Sequence, residues 1–250
     1  LAIIRQVCAR IRLSIDRGET PVPVSINLSR LDFELCDIFS EVTQTVRDHR
    51  VPRDFLHIEV TESLMAERGD IMGATIDRFR AAGFQVWMDD FGSGYSSLNV
   101  LKDYSFDELK LDMKFLSSFD DRSRRITTSV IQMAKQIGLH TLTEGVETEE
   151  QFTFLRDIGC EKIQGYFFGK PMPYDEAMEH LASRGIEIER PAEHHYFDDI
   201  GLVDLLSAVP FVTHRERAQG LTARQLNSIP LAMAEVRKDS FSIFFFNEAF

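Results

Sequence analysis

The chain has 250 residues, 44% of them apolar and 27% charged, which allows one sizeable buried core. Its formal charge is −12, with 40 acidic against 28 basic residues, which argues against long nucleic acid as a partner; a small phosphate ligand remains open, because a bound metal can reverse the local sign. No run of about 18 apolar residues codes for a transmembrane helix, no signal peptide is visible, and Cys8, Cys36 and Cys160 have no CxxC spacing, which predicts reduced thiols in a cytoplasmic domain.

The predicted elements alternate from the start. Residues 1–15 carry apolar side chains at 1, 3, 4, 7, 8, 11, 13 and 15, one broad helical stripe. A short strand within 22–29 ends near Asn27, and helical period returns over 35–51. A strand then ends near Glu59, and a helix over 70–83 stops at Gly83. The strand "FQVWMDD" leads through the loop "FGSGYSSL" to a short helix, and "FDELKLD" is the next strand. Helix 124–138, strand 139–146, helix 148–159, a strand ending near Gln164 and helix 173–185 complete the series. Strand–helix alternation repeated six times implies parallel strands joined by crossover helices, either an open doubly wound sheet or a closed (β/α)8 barrel.

The strand ends favour the barrel. Asn27, Glu59, Asp89 with Asp90, Lys110 with Asp112, Glu144 and Gln164 each close an apolar run, at steps of 20 to 34 residues, one strand–helix unit per step. In a parallel barrel such ends meet on one rim, where the active sites of these folds lie; an open sheet would spread them along an edge. A single Asp at a strand end is ordinarily a helix cap or turn former. Lys110 alone reads as a surface partner of Asp112, Gln164–Gly165 as a turn, and Glu62 and Glu147 as exposed first-turn carboxylates. Six successive polar ends make a stronger pattern than any member.

The donor types are informative. Asn27, Glu59, Asp89 and Asp90 offer oxygen only, the preference of Mg²⁺ or Mn²⁺, and His57 and His140 do not end strands, which disfavours a zinc site. Adjacent Asp89 and Asp90 can serve two ions about 3.5–4 Å apart, an arrangement suited to phosphoryl transfer. Lys110 then brings positive charge to a phosphate, and Glu144 orients or deprotonates water.

The segments "SINLS", "IEVTES", "DDFGSGYSSL", "LKLD", "TEGVET" and "QGYFFGKPMP" resemble, in order and spacing, the motifs of the EAL-domain family, bacterial phosphodiesterases that hydrolyse cyclic di-GMP to linear pGpG. The resemblance covers roughly residues 1 to 184 and implies a (β/α)8 TIM-like barrel of the EAL type with one atypical strand. By motif, Asn27, Glu59 and Asp89 resemble ligands of one metal and Asp90 a ligand of the second. Lys110 resembles the lysine that contacts water and phosphate, Glu144 the carboxylate that activates the water, and Glu62 the anchor of the loop after Asp90. Asp112, Glu147 and Gln164 resemble supporting or substrate-side residues, and Ser93 stands where the family often has Thr. The resemblance further implies cyclic di-GMP as ligand, homodimerisation through the barrel, and in-chain sensor or cyclase domains outside this sequence, with any membrane anchor lying there too.

One departure bears on activity. The family's signature E-A-L strand, with its metal-binding Glu, lies further upstream of Asn27 than this sequence reaches. The expectation is a barrel missing its first strand, and a 250-residue chain that is inactive or weak while its parent is active. A non-catalytic cyclic di-GMP receptor is the alternative, and a pure protein-contact platform a third reading. Beyond the barrel domain at 1–184, residues 185–227 read as a linker with short helices at 202–209 and 216–229 and an exposed His194–His195 pair. Residues 228–250 weakly resemble the opening of a PAS-type domain, which would leave "FSIFFF" an unpaired, aggregation-prone strand.

Overall fold

The computed structural model describes residues 1–93, 97–186, 188, 201–204, 232–237 and 240–246. Six strands form one parallel sheet in strict chain order: β1 (Val24–Asn27), β2 (Leu56–Thr61), β3 (Val86–Phe91), β4 (Glu108–Leu111), β5 (His140–Thr143) and β6 (Lys162–Ile163). Each is followed by helix. The helices are α1 (Ala2–Asp16), α2 (Arg30–Leu35), α3 (Ile38–Asp48), α4 (Glu62–Ala81), α5 (Ser97–Asp103), α6 (Asp121–Gln136), α7 (Glu149–Asp157) and α8 (Tyr174–Ser183). Consecutive parallel pairing with intervening helices is the wall of a (β/α) barrel, and six of its strands lie among the described residues.

The core lies between strands and helices. β2, β3 and β4 are buried over nearly their whole length, as expected of parallel strands covered by crossover helices. Ile58, Val60, Val86, Met88, Leu109 and Leu111 join Ile76 and Phe79 of α4, Ile131 of α6 and Leu155 of α7 in one cluster. Because side chains alternate along a strand, the residues between these apolar ones face the other way, into the barrel: His57 and Glu59, Trp87 and Asp89, Glu108 and Lys110.

Local chemistry sets the helix ends. Asp37 accepts a hydrogen bond from the Ser40 N–H and starts α3. The helix expected over 35–51 is α3, begun by this cap, and a further short helix, α2, precedes it. Thr148 and Gln151 form a reciprocal capping box at α7. The helix expected to begin at Asp70 begins at Glu62, directly after β2, so Glu62 occupies its first turn, where the positive helix end favours a carboxylate.

Two differences concern the C-terminal region. The run at 241–246 is paired: β7 (Ala232–Arg237) and β8 (Ser240–Phe246) form an antiparallel hairpin, so the backbone groups expected to be open find partners within the chain. Of the helix expected at 202–209, Leu202–Asp204 are described and not helical; the rest, the helix at 216–229 and His194–His195 lie outside the described residues. No helix among the described residues is long and apolar enough to cross a membrane.

Candidate active site at the strand ends

The C-terminal ends of β2 to β5 bring four charged side chains to one point. Lys110 Nζ lies 3.0 Å from Glu59 Oε1, 2.9 Å from Asp89 Oδ1 and 2.8 Å from Glu144 Oε1. β2 and β5 are three strand spacings apart, about 14 Å in a flat sheet. Their carboxylates meet on one ammonium because the sheet curls and all these side chains point to its concave face. Lys110, Glu59 and Asp89 are almost fully buried, whereas the Glu144 side chain is 28% exposed and meets solvent at the rim.

Burial alone would push the Lys110 ammonium below the usual lysine range. Its close ion pairs with Asp89, Glu144 and Glu59 outweigh burial and hold it well above that range, so the lysine stays charged. Asp89 Oδ1 is close to Nζ but makes no aligned hydrogen bond, and it is buried.

The adjacency of Asp89 and Asp90 has a backbone cause. Trp87 pairs with Glu108, Met88 with Leu109, and then Phe91 with Leu111, so Asp89 and Asp90 together oppose Lys110 alone. This is a β-bulge, and Asp90 takes the left-handed conformation, φ 58°, to make it. In a regular strand two neighbours point to opposite faces. Here the bulge lets both approach the rim: the Asp90 carboxyl is pushed upward, first by burial and then by the like charges of Asp89, Asp112 and Glu144, with Lys110 opposing them.

The turn after the bulge is tied to β2's end. Gly92 N–H donates to Glu62 Oε2 at 3.2 Å, and Glu62 is buried. Gly92 has φ 90°, and a Cβ there would run into the Phe115 ring, so the turn admits only glycine without rearrangement. Asp112 accepts from the Lys114 N–H at 2.7 Å, capping the short 3₁₀ turn Met113–Leu116.

The other expected residues stand apart from the Lys110 cluster. Asn27 pairs with Glu59 in the sheet register, but its side chain is exposed. Glu147 is exposed at the entrance to α7, where its N–H donates to Gln151 Oε1. Gln164 is exposed just past β6; its N–H bonds the Thr143 carbonyl and its carbonyl accepts from Val146.

A second polar layer lies two residues below the first. The Trp87 ring is 4.5 Å from the His57 ring, Lys162 Nζ sits 4.8 Å over Trp87, and Lys162 pairs with buried Glu108. Burial pushes the Glu108 carboxyl up, and Lys162 partly offsets this. Sequence reasoning missed this layer, although its signal was present: each member precedes a rim residue by two positions, the spacing of one strand face.

The rim donors suit a hard cation: they are oxygen atoms, their charge is in excess over Lys110, and one buried carboxylate oxygen lacks a hydrogen bond. Among the described residues no three His, Cys, Asp or Glu side chains are set to hold a metal ion as they stand; the carboxylates surround Lys110 Nζ instead.

Comparison with known proteins decides the family. Residues 1–171 match the family described as the EAL domain. The chain is an EAL-domain protein. It is 32% identical over 182 residues, 72% of its length, to the bifunctional diguanylate cyclase/cyclic di-GMP phosphodiesterase MucR of Pseudomonas aeruginosa, of which it covers 27%. The structure is similar to the EAL domain of Mycobacterium smegmatis DcpA, with a TM-score of 0.66 and 30% identity, covering 72% of this chain and 82% of that one. It is also similar to Klebsiella pneumoniae BlrP1 solved as a manganese and cyclic di-GMP complex, with a TM-score of 0.61 and 25% identity over 68% of this chain and 44% of that one. The chain spans about a quarter of the length of the curated relatives it matches, 22% to 27% of the first three.

Proposed function

We propose that the protein carrying this EAL domain hydrolyses cyclic di-GMP to linear pGpG with two divalent ions, Mg²⁺ or Mn²⁺, at the rim. The observation that carries the reading is the convergence of Glu59, Asp89 and Glu144 on Lys110 at 2.8–3.0 Å. With Asp90 beside them, four carboxylates lie around one ammonium, an excess of negative charge that divalent cations would offset. Relatives and solved neighbours named for cyclic di-GMP phosphodiesterase activity and for its complexes support the same substrate.

Asn27, Glu59, Asp89 and Asp90 would hold the ions. Bound there, they would supply a lowered water pKa and positive charge for the entering and leaving oxygens. Glu144, the solvent-facing carboxylate of the cluster, orients water and takes its proton as the water oxygen bonds to phosphorus and the 3′ P–O bond breaks. Lys110, held in its charged form, offers its ammonium to the non-bridging phosphate oxygen that gains charge. Glu62 fixes the turn at Gly92 and so the bulge that aims Asp90. Glu147 and Gln164, exposed on the same rim, serve substrate or support the loops. The domain division is a barrel at 1–184, a connecting region at 185–227 and the start of a further module at 228–250.

The test is release of pGpG from cyclic di-GMP with Mn²⁺ or Mg²⁺, run on this chain and on the longer parent, with Asp89→Asn as control. Metal-dependent release by the parent that the substitution abolishes supports the reading. Micromolar binding by the parent without release overturns it in favour of a receptor.

A further inference from the structure

Opposite the rim, at the N-terminal ends of β5 and β6, a second charged cluster is sealed by chain from beyond the barrel. Lys135, in the last turn of α6, is 2% exposed; its Nζ lies 3.4 Å from Glu161 Oε1 and donates to the Gly201 carbonyl. His140 Nδ1 lies 2.5 Å from the other oxygen of Glu161. Gln132 Nε2 is 3.5 Å from Asp204 Oδ1, and Val203 and Asp204 are buried. Gly201 sits so close that a Cβ there would strike the Glu161 carboxylate, which Lys135 and His140 pin in place. Residues 201–204 are therefore packed into the floor of the barrel, more than 60 residues after Lys135 in sequence.

What they press on is the weakest strand. β6 is an edge strand with two ladder pairs, Leu142 with Lys162 and Thr143 with Ile163. Glu161 immediately precedes it, and Gln164 immediately follows it. Gln164 N–H bonds the Thr143 carbonyl, Val146 N–H bonds the Gln164 carbonyl, and Glu144 N–H bonds the Leu111 carbonyl. A short ladder supplies few backbone bonds, so its order depends on what holds its ends. Burying an ammonium is costly unless each of its protons finds an acceptor, so Lys135 draws Glu161 and the Gly201 carbonyl together.

We propose that residues 201–204 form a strap that latches β6 from the floor, and that its seating or release sets the order of the β5–β6 end that carries Glu144 and Gln164. Displacement of the strap from Lys135 thereby reaches the rim through Glu161 and a two-residue strand. The strap is a regulatory contact built from this chain's own sequence. It goes beyond the phosphodiesterase reading, and its test does not depend on turnover.

The experiment is amide hydrogen exchange on the 250-residue chain and on two variants. Gly201→Val blocks seating from the strap side. Lys135→Met keeps the side chain's length but removes the donor, and it serves if the first variant fails to fold. In the unsubstituted 250-residue chain, residues 201–204 are expected to be protected. In the variants their exchange, and that of Glu144, Val146 and Gln164, is expected to rise by about tenfold or more, with Ile58 and Val60 of β2 unchanged. Strap amides that exchange freely in the unsubstituted chain overturn the proposal. So does a strap released in the variants while Glu144, Val146 and Gln164 keep their protection.

Discussion

Lys110 Nζ sits 2.9 Å from Asp89 Oδ1, across the bulge in which β3 sets two residues against one of β4. The pair is buried and shares its lysine with Glu59 and Glu144, so the ammonium offsets the mutual repulsion of three carboxylates. Removing one partner of a buried ion pair leaves uncompensated charge. Lys110→Met is therefore expected to destabilise the metal-free chain by about 3 kcal/mol in urea unfolding. A loss under about 0.5 kcal/mol would mean the carboxylates are solvated and the pairing weak.

Asp90 holds a left-handed backbone conformation for the sake of its carboxylate's position. Asp90→Gly relieves that strain and Asp90→Ala does not. The glycine variant is expected to be about 1 kcal/mol more stable than the alanine variant, with both losing turnover in the parent protein. Equal stabilities would show that the bulge does not require this conformation.

Gly92 combines φ 90° with close approach to Phe115, and its N–H is tied to Glu62. Gly92→Ala must shift the ring or the turn. Thermal or urea unfolding is expected to register a loss of about 2 kcal/mol. Glu62→Gln keeps an acceptor for the same N–H and should cost well under half as much.

The cysteines give a prediction in alkali. Burial pushes the Cys8 and Cys160 thiols up from 9.0 to about 11. A folded-state pKa above the unfolded value favours the folded chain while the thiol stays protonated. The contribution is complete below pH 9.0 and is lost as pH rises through about 11. Unfolding free energy should fall across that window, and less so in Cys160→Ala measured against its own value at pH 8. With a thiol reagent at pH 8, half-buried Cys36 should react first, and Cys8 and Cys160 only on unfolding.

The sequence by itself determined the order of the strands, their parallel alternation with helices, and the polar residue at each strand end. These follow from local periodicity: an apolar run in water must be buried, and a charged side chain at its end must find the rim. Glu59, Asp89, Lys110 and Glu144 could therefore be named as one set before any contact was known. Tertiary structure alone decided how they meet. The bulge at Asp89 and Asp90 is a property of cross-strand register, because it exists only relative to Lys110 on the next strand. The contact between the Glu62 carboxylate and the turn at Gly92 joins residues 30 apart in sequence. The pairing of β7 with β8 and the seating of Gly201 on Lys135 join segments whose own composition is silent about partners. Local patterning selects which face of an element is buried; which charges then cancel depends on residues that only the curled sheet brings within 3 Å of one another.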